Sequence, residues 1–236
     1  MNALRKFLGF QPMATLKQYP DPTVNACCSE FEVNNRVISE FIVDRLVPVV
    51  GVHPFPLNEL LFMVSAVCRL KPTHIFEWGT HIGKSARVFY ETSECFGLNL
   101  EIHSVDLPTD VTHLEHPGQQ RGFMVRGLPG VQLHQGDGLS TALSLCSRIS
   151  GPLRPLFFVD GDHAYDSVRR ELTGIMNSVP RANILLHDTF FQSQESGYNV
   201  GPYQAISEIM ATAPQQYRLL STQMGLPGMT LLYQLP

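Results

Sequence analysis

His74-Ile-Phe-Glu-Trp-Gly-Thr-His-Ile-Gly-Lys-Ser85 is the stretch that decides the fold. Residues 73–78 are a short apolar run bounded by Pro72 and Gly79, as expected of a strand. Helical periodicity resumes from Lys84. Gly79 and Gly83 stand between them, and a residue without a Cβ lets the backbone turn sharply and come close to another group. The segment therefore reads as strand, glycine turn, helix. The first turn of such a helix aims unpaired N–H groups beyond the strand's carboxyl end. That is where open α/β sheets bind their ligands.

Outward from this unit the same alternation continues. Further apolar runs occupy residues 100–106, 131–135, 156–160 and 183–187. Between the last two, Tyr165, Val168, Leu172, Ile175 and Val179 recur at helical spacing. Apolar strands separated by helices predict a doubly wound, mostly parallel α/β sheet of the Rossmann type. Two closing runs, 216–222 and 229–234, flank a loop with Gly225 and Gly228 and predict an antiparallel C-terminal hairpin. Upstream, Asn34 or Asn35 can cap a helix to Leu46, and a second helix runs from Asn58 to Leu70, ended by Pro72. Residues 1–56 read as an N-terminal arm and helix, a cap or an oligomer contact, and 57–236 as the main domain. Long aperiodic stretches at 107–130 and 189–202 overhang the strand ends, and loops that long in a compact domain are as a rule functional or mobile. They bring His113, His116, Arg121, Tyr198, Asn199, Tyr203 and Gln204 as candidates to shape a pocket.

Composition narrows the partners. The chain has 236 residues and a net charge of -4, which argues against nucleic acid or an anionic membrane as the main partner. No apolar run reaches the roughly 18 residues of a membrane span. The start, MNALRKFLGFQPMATLKQ, lacks the apolar centre and cleavage site of a signal peptide. Cys27, Cys28, Cys68, Cys95 and Cys146 are an odd set without a CxxC pair, read as thiols. A cytoplasmic protein with a small-molecule partner, able to form a homo-oligomer through its N-terminal helices, is the expectation.

The glycine turn also excludes a ligand class. Its pattern is E-x-G-x-x-x-G, not GxGxxG, and Glu77 at the strand tip would repel a pyrophosphate. A ligand carrying an ammonium and a sulfonium fits that acid. Asp106 ends the second strand and can accept both hydroxyls of a ribose, or it serves a turn. Asp137, in Gly136-Asp-Gly138, can meet an adenine amino group while Gly138 lets the ring lie against the backbone; equally it can cap the next helix.

Taken together, FEWGTHIGKS, SVD and QGDG at successive strand ends resemble the class I S-adenosylmethionine-dependent methyltransferases. The resemblance covers about residues 57–236 and implies a seven-stranded sheet with its last strand antiparallel. It further implies that Glu77, Gly79, Thr80, His81, Gly83, Ser85, Asp106, Asp137, Gly138 and Asp160 bind S-adenosylmethionine.

A second constellation lies at the fourth and fifth strand ends, in Val159-Asp-Gly-Asp-His163 and His187-Asp-Thr189. Neighbouring strands lie about 4.8 Å apart, so Asp160 and Asp188 would converge if these strands are adjacent. Two carboxylates that close repel unless a proton or a cation lies between them. A divalent ion, Mg or Mn, would relieve that repulsion, with His187 as a third ligand and His163 as base. VDGDHAYDSVRREL followed by ILLHDT is similar to the class 24, cephalosporin hydroxylase-like and macrolide-sugar O-methyltransferases. That resemblance implies Asp160 and Asp188 as metal acids, Asp160 and His163 as catalytic residues, and a hydroxyl acceptor on a sugar or natural product. The chain departs from it at His187, where those relatives carry a carboxylate, and from catechol-type enzymes at Thr189, where they carry Asn. A non-haem metal oxygenase using Asp160, His163 and His187, and a non-catalytic S-adenosylmethionine-binding module, are the competing expectations.

Overall fold

The computed structural model describes residues 16–25, 27–108, 110–111, 120–212 and 217–234. His113, His116 and Gln216 therefore lie outside the described residues.

Helix α1 (Asn35–Phe41) begins where Asn34 accepts hydrogen bonds from the N–H groups of Arg36 and Val37. The sequence reading ends this helix at Leu46, but a π-helical turn over Ile42–Leu46 carries the chain into α2 (Val47–Val50). In that wider turn Val47 N–H bonds back to Ile42, which accommodates Pro48 without breaking the run. Helix α3 (Leu57–Leu70) follows and ends on Lys71 in the left-handed region, just before Pro72.

Seven strands then form one sheet in the order β3-β2-β1-β4-β5-β7-β6. They are β1 (His74–Trp78), β2 (Glu101–Asp106), β3 (Val131–Gln135), β4 (Pro155–Val159), β5 (Asn183–His187), β6 (Arg218–Ser221) and β7 (Met229–Tyr233). The first five are parallel, and β7 inserts antiparallel between β5 and β6. The strand order reverses between β1 and β4, which places a ligand crevice at their carboxyl ends. Helices α4 (Lys84–Phe96), α5 (Gly138–Arg148), α6 (Tyr165–Ser178) and α7 (Val200–Thr212) complete the fold.

Alternation along the strands splits the core into two layers. Ile75, Phe158, Leu185 and Leu231 face one way, into a core shared with Ile38, Phe41, Leu46 and α3. Phe76, Trp78, Phe157 and Leu186 face the other way, against α5, α6 and α7. The apolar faces of α1 and α2 are thus buried within the chain's own core. No helix among the described residues is long and apolar enough to cross a membrane.

On the second face a ladder of aromatic rings crosses the amino-terminal half of the sheet. His74, Phe76 and His103 stack with nearly parallel rings, and His134 on β3 lies beside His103. Burial, with the neighbouring His134 and His74, pushes His103 down to about 4, and burial lowers His74 and His134 as well. All three imidazoles are therefore neutral near pH 7.

Candidate active site

The glycine turn brings the tips of β1 and β4 together. Gly79 has φ +88°, and a Cβ there would meet the Asp160 carbonyl oxygen at 2.0 Å. Any side chain at this position would force the two strand ends apart. The N–H groups of Gly79 and Thr80 donate to Val105 on β2. Gly83 N–H closes the turn onto Thr80, and Gly83 leads into α4.

Behind the turn runs a short relay of polar side chains. Thr80 Oγ1 lies 2.6 Å from Ser104 Oγ, which donates to Glu77 Oε1 at 2.5 Å. Ser85, in the first turn of α4, is close enough to favour the ionised form of this carboxyl. Glu77 Oε2 is buried and makes no hydrogen bond among the described residues. Burial pushes the Glu77 carboxyl up to about 7, against the pull of Ser104 and Ser85. A buried carboxylate oxygen without a partner is an acceptor awaiting a cation or donor.

Asp106 stands beside it at the end of β2. Its Oδ2 accepts from His81 N–H at 3.0 Å and its Oδ1 from Leu107 N–H at 2.7 Å. Each carboxylate oxygen has a second lone pair, so turn closure leaves room for ribose hydroxyls. Asp106 can therefore close the turn and still offer acceptors to a ligand.

Asp137 is different. Its carboxylate caps α5 by accepting from the N–H and hydroxyl of Ser140, and Arg170 pairs with it at 2.8 Å. The Arg170 bond, opposed by slight burial and aided by Ser140, holds it down at about 2. Of the two roles that the sequence offers this residue, capping is the one on display. Gly138 likewise has a structural reason: a Cβ there would sit 2.4 Å from the Trp78 ring. Arg121 donates to the carbonyl oxygens of Leu107, Pro108 and Val111 in its own loop, and its Nε lies 3.9 Å from Asp106 Oδ2 at the end of β2. Asn199 clips Phe190 to Pro227, whereas Tyr203 stacks on Phe191 near the surface.

Across the crevice the second constellation assembles as its spacing predicts. Asp160 directly follows β4, and Asp188, in the left-handed region at φ +54°, directly follows β5. His187 Nδ1 lies 3.0 Å from Asp160 Oδ1 and 3.4 Å from Asp188 Oδ2. His163 Nε2 lies 3.3 Å from Asp188 Oδ2 and 3.8 Å from Asp160 Oδ1. Burial would lower both imidazoles, but the carboxylates outweigh it, so His163 is raised and His187 raised well above the usual histidine value. Burial would conversely raise Asp160, and the two histidines bring it below the ordinary carboxylate range.

The sequence reading missed Glu59. This residue of α3 is wholly buried, accepts from Gly228 N–H at 2.7 Å, and faces His187 Nε2 at 3.1 Å. The signal was a charge on an otherwise apolar helix face, at spacings of three and four from Phe62 and Met63. Phe55 packs edge-on against the same imidazole.

These groups fit a divalent ion. One ligand atom each from Asp160, His187 and Asp188 lies within 4.8 Å of the other two. Glu59 behind Nε2 would fix His187 with Nδ1 turned to the ion, an arrangement common behind metal-bound imidazoles. A proton on Nδ1 occupies the same position, so ion and proton compete there.

Residues 76–189 match a family described as methyltransferase domain. Among solved structures, the O-methyltransferase from Bacillus cereus in complex with SAH has a TM-score of 0.54 at 14% identity, covering 84% of this chain and 90% of that one. TomG from Streptomyces achromogenes, an O-methyltransferase involved in tomaymycin synthesis and solved with SAM, has a TM-score of 0.52 at 14% identity, covering 86% and 89%. CalS11, a TDP-rhamnose 3'-O-methyltransferase of calicheamicin biosynthesis, has a TM-score of 0.52 at 16% identity, covering 83% and 86%. At these identities the likeness is one of fold. A comparison with curated protein sequences finds no match.

Proposed function

We propose, from the premise that residues 76–189 are a methyltransferase domain set in the class I Rossmann-like fold, that the chain methylates a hydroxyl oxygen of a small molecule with S-adenosylmethionine as donor. The observation that carries this reading is the division of the crevice. Glu77 and Asp106 offer buried acceptors on the β1–β2 side, and Asp160, His163, His187 and Asp188 cluster on the β4–β5 side.

The donor side suits a cationic nucleoside. Glu77 Oε2 is free to take an ammonium, and Asp106 has lone pairs left for ribose. Gly79 keeps the turn between them low. The relatives solved with SAM and SAH support the same donor.

The acceptor side suits an alcohol. Attack by the hydroxyl oxygen on the methyl carbon forms a C–O bond as the C–S bond breaks, its electron pair passing to sulfur. The hydroxyl proton must leave, and His163 is the base we assign. Its ring is 42% exposed, so the proton can pass on to solvent. Asp160, His187 and Asp188 would hold a Mg or Mn ion, which when bound lowers the pKa of a coordinated hydroxyl. Glu59 positions His187, and Phe55 walls it from water. The named activities of TomG and CalS11 favour a sugar or natural-product hydroxyl as acceptor. At the β4–β5 strand ends the metal-competent trio is two carboxylates and one imidazole, not the two imidazoles and one carboxylate of a non-haem iron oxygenase.

Calorimetry with S-adenosylmethionine tests the donor, with saturable binding expected and its absence at millimolar ligand refuting the reading. Mass analysis of a hydroxylated acceptor panel, before and after chelation, tests the rest. Methylated product that disappears on chelation and returns with Mg or Mn is expected. Full activity after exhaustive chelation would remove the ion and leave His163 as sole activator.

A further inference from the structure

The histidine ladder at the other end of the sheet takes no part in that chemistry. We propose that His74, Glu101 and His103 form a second metal site, taking a zinc-class divalent ion that clamps β1 to β2 at their amino-terminal ends.

The register sets the geometry. His74 pairs with Glu101 across β1 and β2, and His103 follows two residues on, so its side chain shares a face with that of Glu101. His74 Nε2 lies 3.9 Å from Glu101 Oε2, and His103 Nε2 lies 4.0 Å from the same oxygen. One ligand atom from each of the three lies within 4.8 Å of the other two.

The independent sign of a ligand is His103. Its side chain is 6% exposed, yet its Nε2 makes no hydrogen bond among the described residues. A buried ring nitrogen left unpaired is costly, and here it is aimed at a carboxylate just beyond hydrogen-bond reach. The opposite ring nitrogens are engaged: His103 Nδ1 lies 3.1 Å from His134 Nε2, and His74 Nδ1 lies 3.0 Å from Thr73 Oγ1. In the tautomer that donates both Nδ1 protons to those acceptors, both Nε2 lone pairs face the Glu101 carboxylate. A cation resolves that arrangement, and outer partners orienting each ring are what bound imidazoles usually have.

Two imidazoles and one carboxylate suit zinc and its neighbours better than magnesium or calcium. Tetrahedral coordination at about 2.0–2.2 Å draws ligand atoms closer than they now stand. Glu101 is 55% exposed and can supply most of that movement by rotating its side chain. Three protein ligands leave a fourth corner for water. Because the site lies at the strand starts, away from the crevice, its consequence is stability, not turnover.

The test is equilibrium dialysis of the metal-stripped chain against Zn²⁺, with the bound metal counted for wild type, Glu101→Gln, His74→Gln and Asp188→Asn. Glu101→Gln and His74→Gln should each lose one equivalent that Asp188→Asn retains. Zn²⁺ should raise the melting temperature of Asp188→Asn but not that of the double variant Glu101→Gln/Asp188→Asn. Histidine ring NMR of Asp188→Asn should show the His74 and His103 Nε2 signals shifting with Zn²⁺. Equal zinc content in wild type and Glu101→Gln, both folded by circular dichroism, would overturn the proposal. Loss of zinc by Asp188→Asn alone bears on the catalytic ion and leaves this site refuted by the same comparison.

Discussion

Glu77 carries a pH dependence that follows from its burial. In the folded chain it holds its proton up to about 7, against 4.5 for an ordinary glutamic acid. A raised carboxyl stabilises the fold fully below pH 4.5, and that contribution is lost as pH climbs through about 7. It amounts to about 3 kcal/mol. Donor binding has the opposite sign, since an ammonium needs the ionised carboxylate. Affinity for S-adenosylmethionine should therefore fall as pH drops below about 7, and binding near pH 6 should expel a proton. Calorimetry in buffers of different ionisation enthalpy reads that proton, and Glu77→Gln should abolish the release; unchanged release would move the linkage elsewhere. At Asp106 the expectation is loss of donor binding on Asp106→Ala, beyond any fall in stability from the bonds to His81 and Leu107. His163→Ala should lower kcat by about 10²–10⁴-fold with donor affinity retained, as removal of a general base does. A variant of wild-type rate would exclude His163 as base.

The elements are arranged around close approaches of backbone and ring. Trp78 at the end of β1 lies under the first residue of α5, and a Cβ on Gly138 would enter its ring. Gly138→Ala should destabilise the chain by about 1–3 kcal/mol, the usual cost of overpacking, read as a lower urea midpoint. No such loss would mean that α5 can shift freely. The second half of the long loop after β2 is docked on the glycine turn, through Gly122 N–H to His81 and Met124 N–H to Ile82. Arg87 on α4 reaches the same loop at Met124 while pairing with buried Glu91, which also holds Arg45 before α2. The glycine turn is thus braced by the loop, α4 and the N-terminal helices together.

At the scale of the molecule, Glu59 links helix α3 to the cluster of Asp160, His187 and Asp188. It is held by Gly228 just before β7 and holds His187 at the end of β5. Glu59→Gln keeps the shape but loses the charge, and should weaken Mn affinity by about 10–100-fold, as loss of an outer partner typically does. Unaltered metal binding would make Glu59 a packing residue. Much of this molecule was legible in its residues. The alternation of short apolar runs and helices fixed the doubly wound sheet and its antiparallel end, because the burial of each strand and helix face is written in local periodicity. Strand-end position likewise located Glu77, Asp106, Asp160 and Asp188 along the carboxyl edge of the sheet, because each stands at or next to the end of an apolar run. What only the tertiary structure decided are pairings between distant segments. Glu59 meets His187 across 128 residues. Asp137 meets Arg170 across 33 residues. His74, Glu101 and His103 meet through strand register. Periodicity reports which way a side chain faces, but the partner on the other side of that face is chosen by packing between elements, which no local pattern encodes.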